Sequence, residues 1–459
     1  MEKSITEAFS DILRLAGLTL IGRVIAASLG LLVSIIIART YGPAMTGLLG
    51  VIGAAALLFA YPAAAGFQTA ILRIIPEYKA KYPNYPVRRL FNYVISFVLL
   101  MSMVGSIIFL SFESIWSDLI KGDNIEVANL GFVICLIIVL KAALLVTTSA
   151  LRSFGFDKLF AFFQFFTPMT NLIGLLILIP IIGELSPIYA LILSFLIPVI
   201  FSIIFINVHK SSASSKGSRH SIAFGSLLKV SFPMMIGGYV GIIASEFGVL
   251  FLGANSTIEE VGLYVIAFKI SFIPAMVLKA VNAVIAPKIS HMYFSGDFDR
   301  MFTLCRLFTF ISSSFAFFVL LLFFFYGEIL LGIGFGDEFI DATPILTILL
   351  IGQLINAVTG SSGELMQMTG AEKKHRDITI YGAIVYCLTS ILLIPHIGAL
   401  GVAFALVLAE IVWNGLALIF IFRKFKQLPL INILEIIKFF RFYGINQAKS
   451  QSVRRHLDK

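Results

Sequence analysis

Twelve times along this 459-residue chain, about twenty mostly apolar residues follow one another with hardly a charge among them. Runs of that length match the roughly 20 residues that a helix needs to cross the hydrocarbon core of a bilayer. Lipid offers no hydrogen-bond partner, so each run must satisfy its backbone internally, which an α-helix does. The runs lie approximately at 15–38, 47–75, 90–112, 129–151, 159–182, 188–208, 229–252, 261–287, 304–326, 342–368, 378–394 and 400–422. The predicted fold is therefore all-α, a polytopic membrane protein with twelve transmembrane helices. Composition agrees: 59% hydrophobic and 13% charged residues, with a mean hydropathy of +0.99, exceed the apolar half of an ordinary soluble domain.

The second constraint is a duplication. Leu178-Ile179-Pro180-Ile181-Ile182-Gly183 returns 215 residues later as Leu393-Ile394-Pro395-His396-Ile397-Gly398. At the same offset Gly155 falls on Gly370, Lys158 on Lys373, Ala190 on Ala405, and Gly47-Leu48 on Gly262-Leu263. Six spans in each half bring the chain back to its starting side. The two six-helix halves should then be related by a pseudo-two-fold axis along the membrane normal, an arrangement known from secondary transporters. We expect residues 1–208 to form the first half, 209–228 a cytoplasmic linker, 229–427 the second half and 428–459 a tail. The linker, from Lys210 to Arg219, is rich in Ser, Gly and Lys, as a flexible tether is. In the tail, Leu428 to Phe442 is apolar but carries Glu435, Lys438 and Arg441 near one face, which predicts an amphipathic helix on the inner leaflet.

Charge sets the orientation. Of the 34 Lys and Arg, 27 fall in the two end segments and in alternate loops, whereas the other set of loops holds only Arg39 and Lys121. The positive-inside rule places both termini and the linker in the cytoplasm of a cell-membrane protein. This dispersal over loops also argues against nucleic acid as a partner, despite the net charge of +9. The first eleven residues are polar and the first apolar run is too long for a signal core, so the first span is expected to remain as an anchor. Cys135, Cys305 and Cys387 show no metal spacing and are expected in the packing. The loops are too short for a catalytic domain and hold no Walker-type phosphate loop, so we expect no enzyme activity, no cofactor and no metal.

Chemistry is expected where charge enters the bilayer, because buried charge is costly and usually functional. Five cations lie within the spans, Arg23, Arg73, Lys141, Lys269 and Lys279, against three acids, Glu246, Glu364 and Glu410. Arg73 and Lys279 lie near cytoplasmic ends, where a long side chain can snorkel. Glu246 and Lys269 lie at matching depth on consecutive spans, which predicts a gating pair. On the tenth span Gln353, Asn356, Gly360, Gly363 and Gln367 form a polar and small stripe ending near Glu364, predicted to line a cavity. Gly238, Gly241, Ser245 and Gly248 on the seventh span predict close helix packing. Arg23, Lys141, Lys269, Lys279, Gln353 and Asn356 are the substrate-binding candidates. Glu246, Glu410 and Glu364 are the candidates for ion coupling or gating.

Gly22-Arg23-Val24-Ile25, Ala38-Arg39-Thr40-Tyr41-Gly42-Pro43 and Ile75-Pro76-Glu77-Tyr78-Lys79 resemble the N-terminal signature of the polysaccharide transporter family, the O-antigen and capsule flippases. That family shares the multidrug/oligosaccharidyl-lipid/polysaccharide superfamily with multidrug extruders and lipid II flippases. The resemblance, over about residues 15–425, implies alternating access that moves undecaprenyl-diphosphate-linked oligosaccharide from the inner to the outer leaflet. It implies the lipid-linked oligosaccharide, membrane lipids and a polysaccharide polymerase as partners, often with an ion gradient as the driving force. The Arg-Asp pair of the lipid II flippases is replaced by Leu29-Gly30, and their fourteen spans exceed the twelve here, which argues against lipid II as cargo. The alternatives are a cation-coupled multidrug extruder and a membrane glycosyltransferase or polymerase. The excess of interior cations favours an anionic cargo over the first, and the short outer loops disfavour the second.

Overall fold

The computed structural model of the chain describes residues 2–81, 86–112, 127–208 and 224–431. Twelve helices follow: α1 (Glu2–Ala63), α2 (Phe67–Lys81), α3 (Val87–Ser111), α4 (Val127–Ser153), α5 (Asp157–Ile182) and α6 (Ser186–Val208). Then come α7 (Phe224–Asn255), α8 (Ile258–Phe294), α9 (Phe298–Phe335), α10 (Thr343–Val358), α11 (Ser362–Met368) and α12 (Glu372–Phe425). Every predicted apolar run lies mostly on helix. Among the described residues, nine helical stretches are long and apolar enough to cross a membrane, and three of these (22–81, 157–208 and 372–425) each cover two of the predicted runs. The linker up to residue 223, the loop 113–126 with Lys121, and residues 432–459 with most of the predicted amphipathic helix lie outside the described residues.

Single backbone positions subdivide the long runs. Gly42 (φ 73°, ψ −170°) ahead of Pro43 kinks α1, and Ile397–Gly398 kinks α12. The run predicted at 47–75 is not one helix, because Ala65 and Gly66, both at positive φ, turn the chain between α1 and α2. Gly66 has a second reason to lack a side chain: a Cβ there would lie 2.9 Å from the Met235 nitrogen and would overlap the Ser231 carbonyl. The tenth run is also broken, at Gly360 (φ 66°), into α10 and α11. The polar stripe predicted down one helix is thereby corrected. Gln353 and Asn356 lie on α10, while Gly363, Glu364 and Gln367 lie on the short α11, and the left-handed glycine between them resets the helical face.

The duplication is visible in the backbone. Gly183 (φ 68°, ψ −121°) and its mate Gly398 (φ 54°, ψ −130°) share one conformation that favours glycine. Gly155 (φ 90°) and its mate Gly370 (φ 77°) share another.

The helices pack into two compact units, one comprising Met1–Ile266, Leu331–Ala342 and Ser390–Ala399, the other Ala267–Leu330, Thr343–Thr389 and Leu400–Lys459. In the first, α1 packs on α5 and α7, α5 on α6, and both α2 and α3 on α4. Val51, Ile52, Ile71, Ile75, Phe91, Ile134, Ile137 and Val146 are fully enclosed there. In the second, Ile285, Ile289, Met301, Phe302, Cys305, Leu365 and Met366 form a buried cluster. Large apolar side chains such as Ile107, Phe132, Phe318 and Leu392 are exposed, as lipid-facing residues are. Packing by contact and division by sequence repeat are different partitions. Helix α7 follows the linker in sequence, yet its contacts are with α1 and α2.

Candidate functional site

In the first unit, α4 carries Lys141 half-buried. Its ammonium donates to the Gly53 carbonyl at 2.9 Å and lies 5.9 Å from the centre of the Phe195 ring. Glu246, half-buried on α7, is near enough to act electrostatically on Lys141, and the Ser245 hydroxyl lies 3.1 Å from its carboxylate. The sequence paired Glu246 with Lys269; within the first unit Glu246 also bears on Lys141. Arg23 on α1 is exposed, and among the described residues it makes no ion pair or hydrogen bond. The glycine before it is buried, and a Cβ on Gly22 would lie 2.9 Å from the Ala161 carbonyl oxygen, so α1 approaches α5 closely where it presents the guanidinium. The predicted packing stripe on α7 is used at Gly238, which faces the Tyr61 hydroxyl, whereas Gly241 faces open space.

In the second unit Lys269 and Lys279 on α8 are both exposed, and Lys279 lies 4.2 Å from the centre of the Phe272 ring. A polar seam joins α10 to the second segment of α12. Glu410 is only 3% exposed and Gln353 8% exposed, and the Gln353 amide donates to Glu410 Oε1 at 2.8 Å. One turn further along, Asn414 Nδ2 donates to Asn356 Oδ1 at 3.4 Å. The seam continues to α8, where Ser361 and Asn282 lie 2.5 Å apart. Gly352 leaves the space that the Glu410 carboxylate fills: a Cβ there would overlap Oε2. Glu364 on α11 is half-buried.

The structure thus joins two residues predicted for different tasks, Gln353 and Glu410, and adds Asn414, Asn282 and Gly352. Asn414 was within reach of sequence reasoning, since it lies four residues after Glu410 on the same helical face. Asn282 and Gly352 were not, because their roles depend on which helices meet.

No curated protein matches the chain. Among solved structures it is similar to "Lipid II flippase MurJ, inward closed conformation", with a TM-score of 0.71 at 16% identity over 93% of this chain and 89% of that one. It is similar to the inward-facing conformation of a multidrug resistance MATE family transporter of the MOP superfamily, with a TM-score of 0.68 at 14% identity over 87% and 97% of the two chains. A MOP superfamily transporter from Pyrococcus furiosus, described as having a binding pocket of reverse polarity, gives a TM-score of 0.57 at 15% identity over 89% and 94% of the two chains. These likenesses show that the chain shares the fold of those transporters, and with its apolar helices it is a multi-pass membrane protein. The profile of a family described as "Polysaccharide biosynthesis protein" matches residues 12–293, more than half of the sequence, and the chain belongs to that family.

Proposed function

We propose that this protein is a flippase that carries undecaprenyl-diphosphate-linked oligosaccharide from the cytoplasmic to the outer leaflet by alternating access, for surface polysaccharide assembly. The observation that carries the proposal is the state of the interior cations in a chain of this family. Arg23 is exposed without an ion-pair partner among the described residues, and the ammonium of Lys141 is met by a backbone carbonyl and a ring, with Glu246 acting on it electrostatically but not in a direct ion pair among the described residues. Cations left available in this way suit a diphosphate, which accepts charge-assisted hydrogen bonds from guanidinium and ammonium groups. Arg23, Lys141, Lys269 and Lys279 are assigned to the cargo. Gln353 and Asn356 have their side chains engaged with Glu410 and Asn414, so they are assigned with Glu410 to coupling, and Glu246 and Glu364 to gating. The two sequence halves, the cytoplasmic termini and a polymerase partner belong to the same reading.

The test is replacement of Arg23, Lys141 or Lys269 by Gln, followed by surface polysaccharide and membrane protein level. A charge-assisted hydrogen bond contributes about 1.5–3 kcal/mol, so each variant should flip about tenfold more slowly or worse while remaining in the membrane. Arg23→Lys should fail more than Lys141→Arg, because a planar guanidinium makes bidentate contacts that an ammonium does not. Normal export by all three neutral variants, or efflux of cationic dyes in place of lipid-linked sugar, would overturn the reading.

A further inference from the structure

We infer that Glu410 and Gln353 form a proton-binding site in the second unit, holding one proton on Glu410 in a ring of two hydrogen bonds between a carboxylic acid and a carboxamide. The two side chains come from different helices, α12 and α10, and both are at least nine-tenths buried. The Gln353 nitrogen already donates to Glu410 Oε1. Two buried atoms of the same two groups are left without a partner among the described residues, Glu410 Oε2 and Gln353 Oε1. With an ionised carboxylate both are acceptors, and neither can satisfy the other. One hydrogen on Oε2 turns it into a donor towards the amide oxygen, and a single proton then satisfies both groups.

The surroundings favour a proton over a metal cation. A hard cation takes about six oxygen ligands, and here two unpartnered side-chain oxygens are available. No charged side chain bears on Glu410 among the described residues. Gly352 and Gln353 of α10 face it, with Val407 beside Gly352 and the Asn356–Asn414 pair one turn away, all of them neutral. An ionised carboxylate there has no counter-charge, which makes the neutral acid the form this enclosure stabilises. The close backing by Gly352 leaves little room for an ion beside Oε2. The proton therefore fastens α10 to α12, and its release leaves two buried acceptors that must find water or move apart. This deepens the flippase reading by naming the coupling ion, and rests on that reading only for the use made of the proton.

The test needs no cargo, so it stands or falls separately from the transport reading. Infrared difference spectra of the purified full-length protein in liposomes, between acidic and alkaline pH, should show the carbonyl band of an undissociated acid. Glu410→Gln, whose amide can still pair with Gln353, should remove that band. Gln353→Leu should keep it but move it to higher frequency, as happens when an acid loses its hydrogen bonds, and exchange of sodium for potassium should leave it in place. Should Gln353→Leu fail to fold, Gln353→Met makes the same removal with a more adaptable side chain. Identical spectra for the parent and Glu410→Gln would overturn the inference, and so would loss of the band on adding sodium, which would make the site a metal-cation carboxylate.

Discussion

Arg39 is one of two basic residues that the charge count leaves on the outer side, and its guanidinium donates to the carbonyls of Ile333 and Gly334, the latter at 3.1 Å. Those carbonyls end α9, where a helix leaves acceptors without intrahelical donors and carries partial negative charge. An exception to the positive-inside pattern thus has a local structural role, and Arg39→Gln should loosen the end of α9, with faster hydrogen exchange of its last turn as the readout. His375, in the first turns of α12, is half-buried against Gly363, and its Nδ1 has no partner. Burial holds its imidazole below the usual range. The unfolded chain then takes up a proton more readily than the folded one, so this contribution to stability is present above the ordinary value of about 6.5 and is lost as pH falls below it. Melting temperatures compared between pH 7 and pH 5 should fall more for the parent than for His375→Gln; equal slopes would show that His375 is protonated without cost. Sequence alone placed Glu410 among the coupling candidates, since a carboxylate inside an apolar span is legible along the chain. It missed the Gln353 partnership, which depends on which residue of a neighbouring helix faces it.

The most demanding packing in the first unit is made by two helices that are repeat mates. A Cβ on Gly47 would lie 2.8 Å from the Gly262 nitrogen, and a Cβ on Gly262 would lie 3.1 Å from the Gly47 nitrogen. Each would also overlap a carbonyl, of Ile258 and Pro43 respectively, and these too are 215 residues apart. Gly50 meets Val265, another pair at that offset, at 2.7 Å from a built Cβ to Val265 Cγ2. When residue i meets j′ as j meets i′, the contact is self-complementary, the pattern that a local two-fold relation leaves. The atoms in the way at Gly47 and Gly262 are backbone, which a side-chain rotation cannot move. Gly47→Ala and Gly262→Ala should each destabilise by about 1–3 kcal/mol, and the double variant should cost less than their sum because the first already separates the helices; strict additivity in thermal unfolding would refute a shared contact. The offset was legible in the sequence, and so were the apolar runs. The joints were not: Gly42, Gly66, Gly360 and Gly398 each redirect a helix through one backbone conformation, and an apolar run looks alike whether or not such a joint lies within it.

At the scale of the whole molecule, orientation and energy source decide what the fold achieves. Cysteines introduced at Asn255, the exposed last residue of α7, should label from outside intact cells, and ones at Lys373, at the start of α12, should not; the reverse would invert the assignment. The flippase proposed above would move a doubly charged lipid outward, which has to be driven, and the sequence carries no Walker-type phosphate loop. The membrane potential acts on the net charge of the loaded carrier, whereas a pH gradient acts only through a group that loads and unloads a proton. The polar seam in the second unit contains one buried acid, Glu410, and its fixed partner is neutral. Glu410→Gln keeps the shape and the amide donor but abolishes the release step. In proteoliposomes carrying lipid-linked oligosaccharide, flipping by the parent should quicken when a pH gradient is imposed at fixed membrane potential. Flipping by Glu410→Gln should proceed at one rate with or without the gradient, cargo binding being retained because Arg23, Lys141 and Lys269 are untouched. An unchanged gradient response in that variant would remove Glu410 from energy coupling and leave the potential acting on the anionic cargo as the driving force.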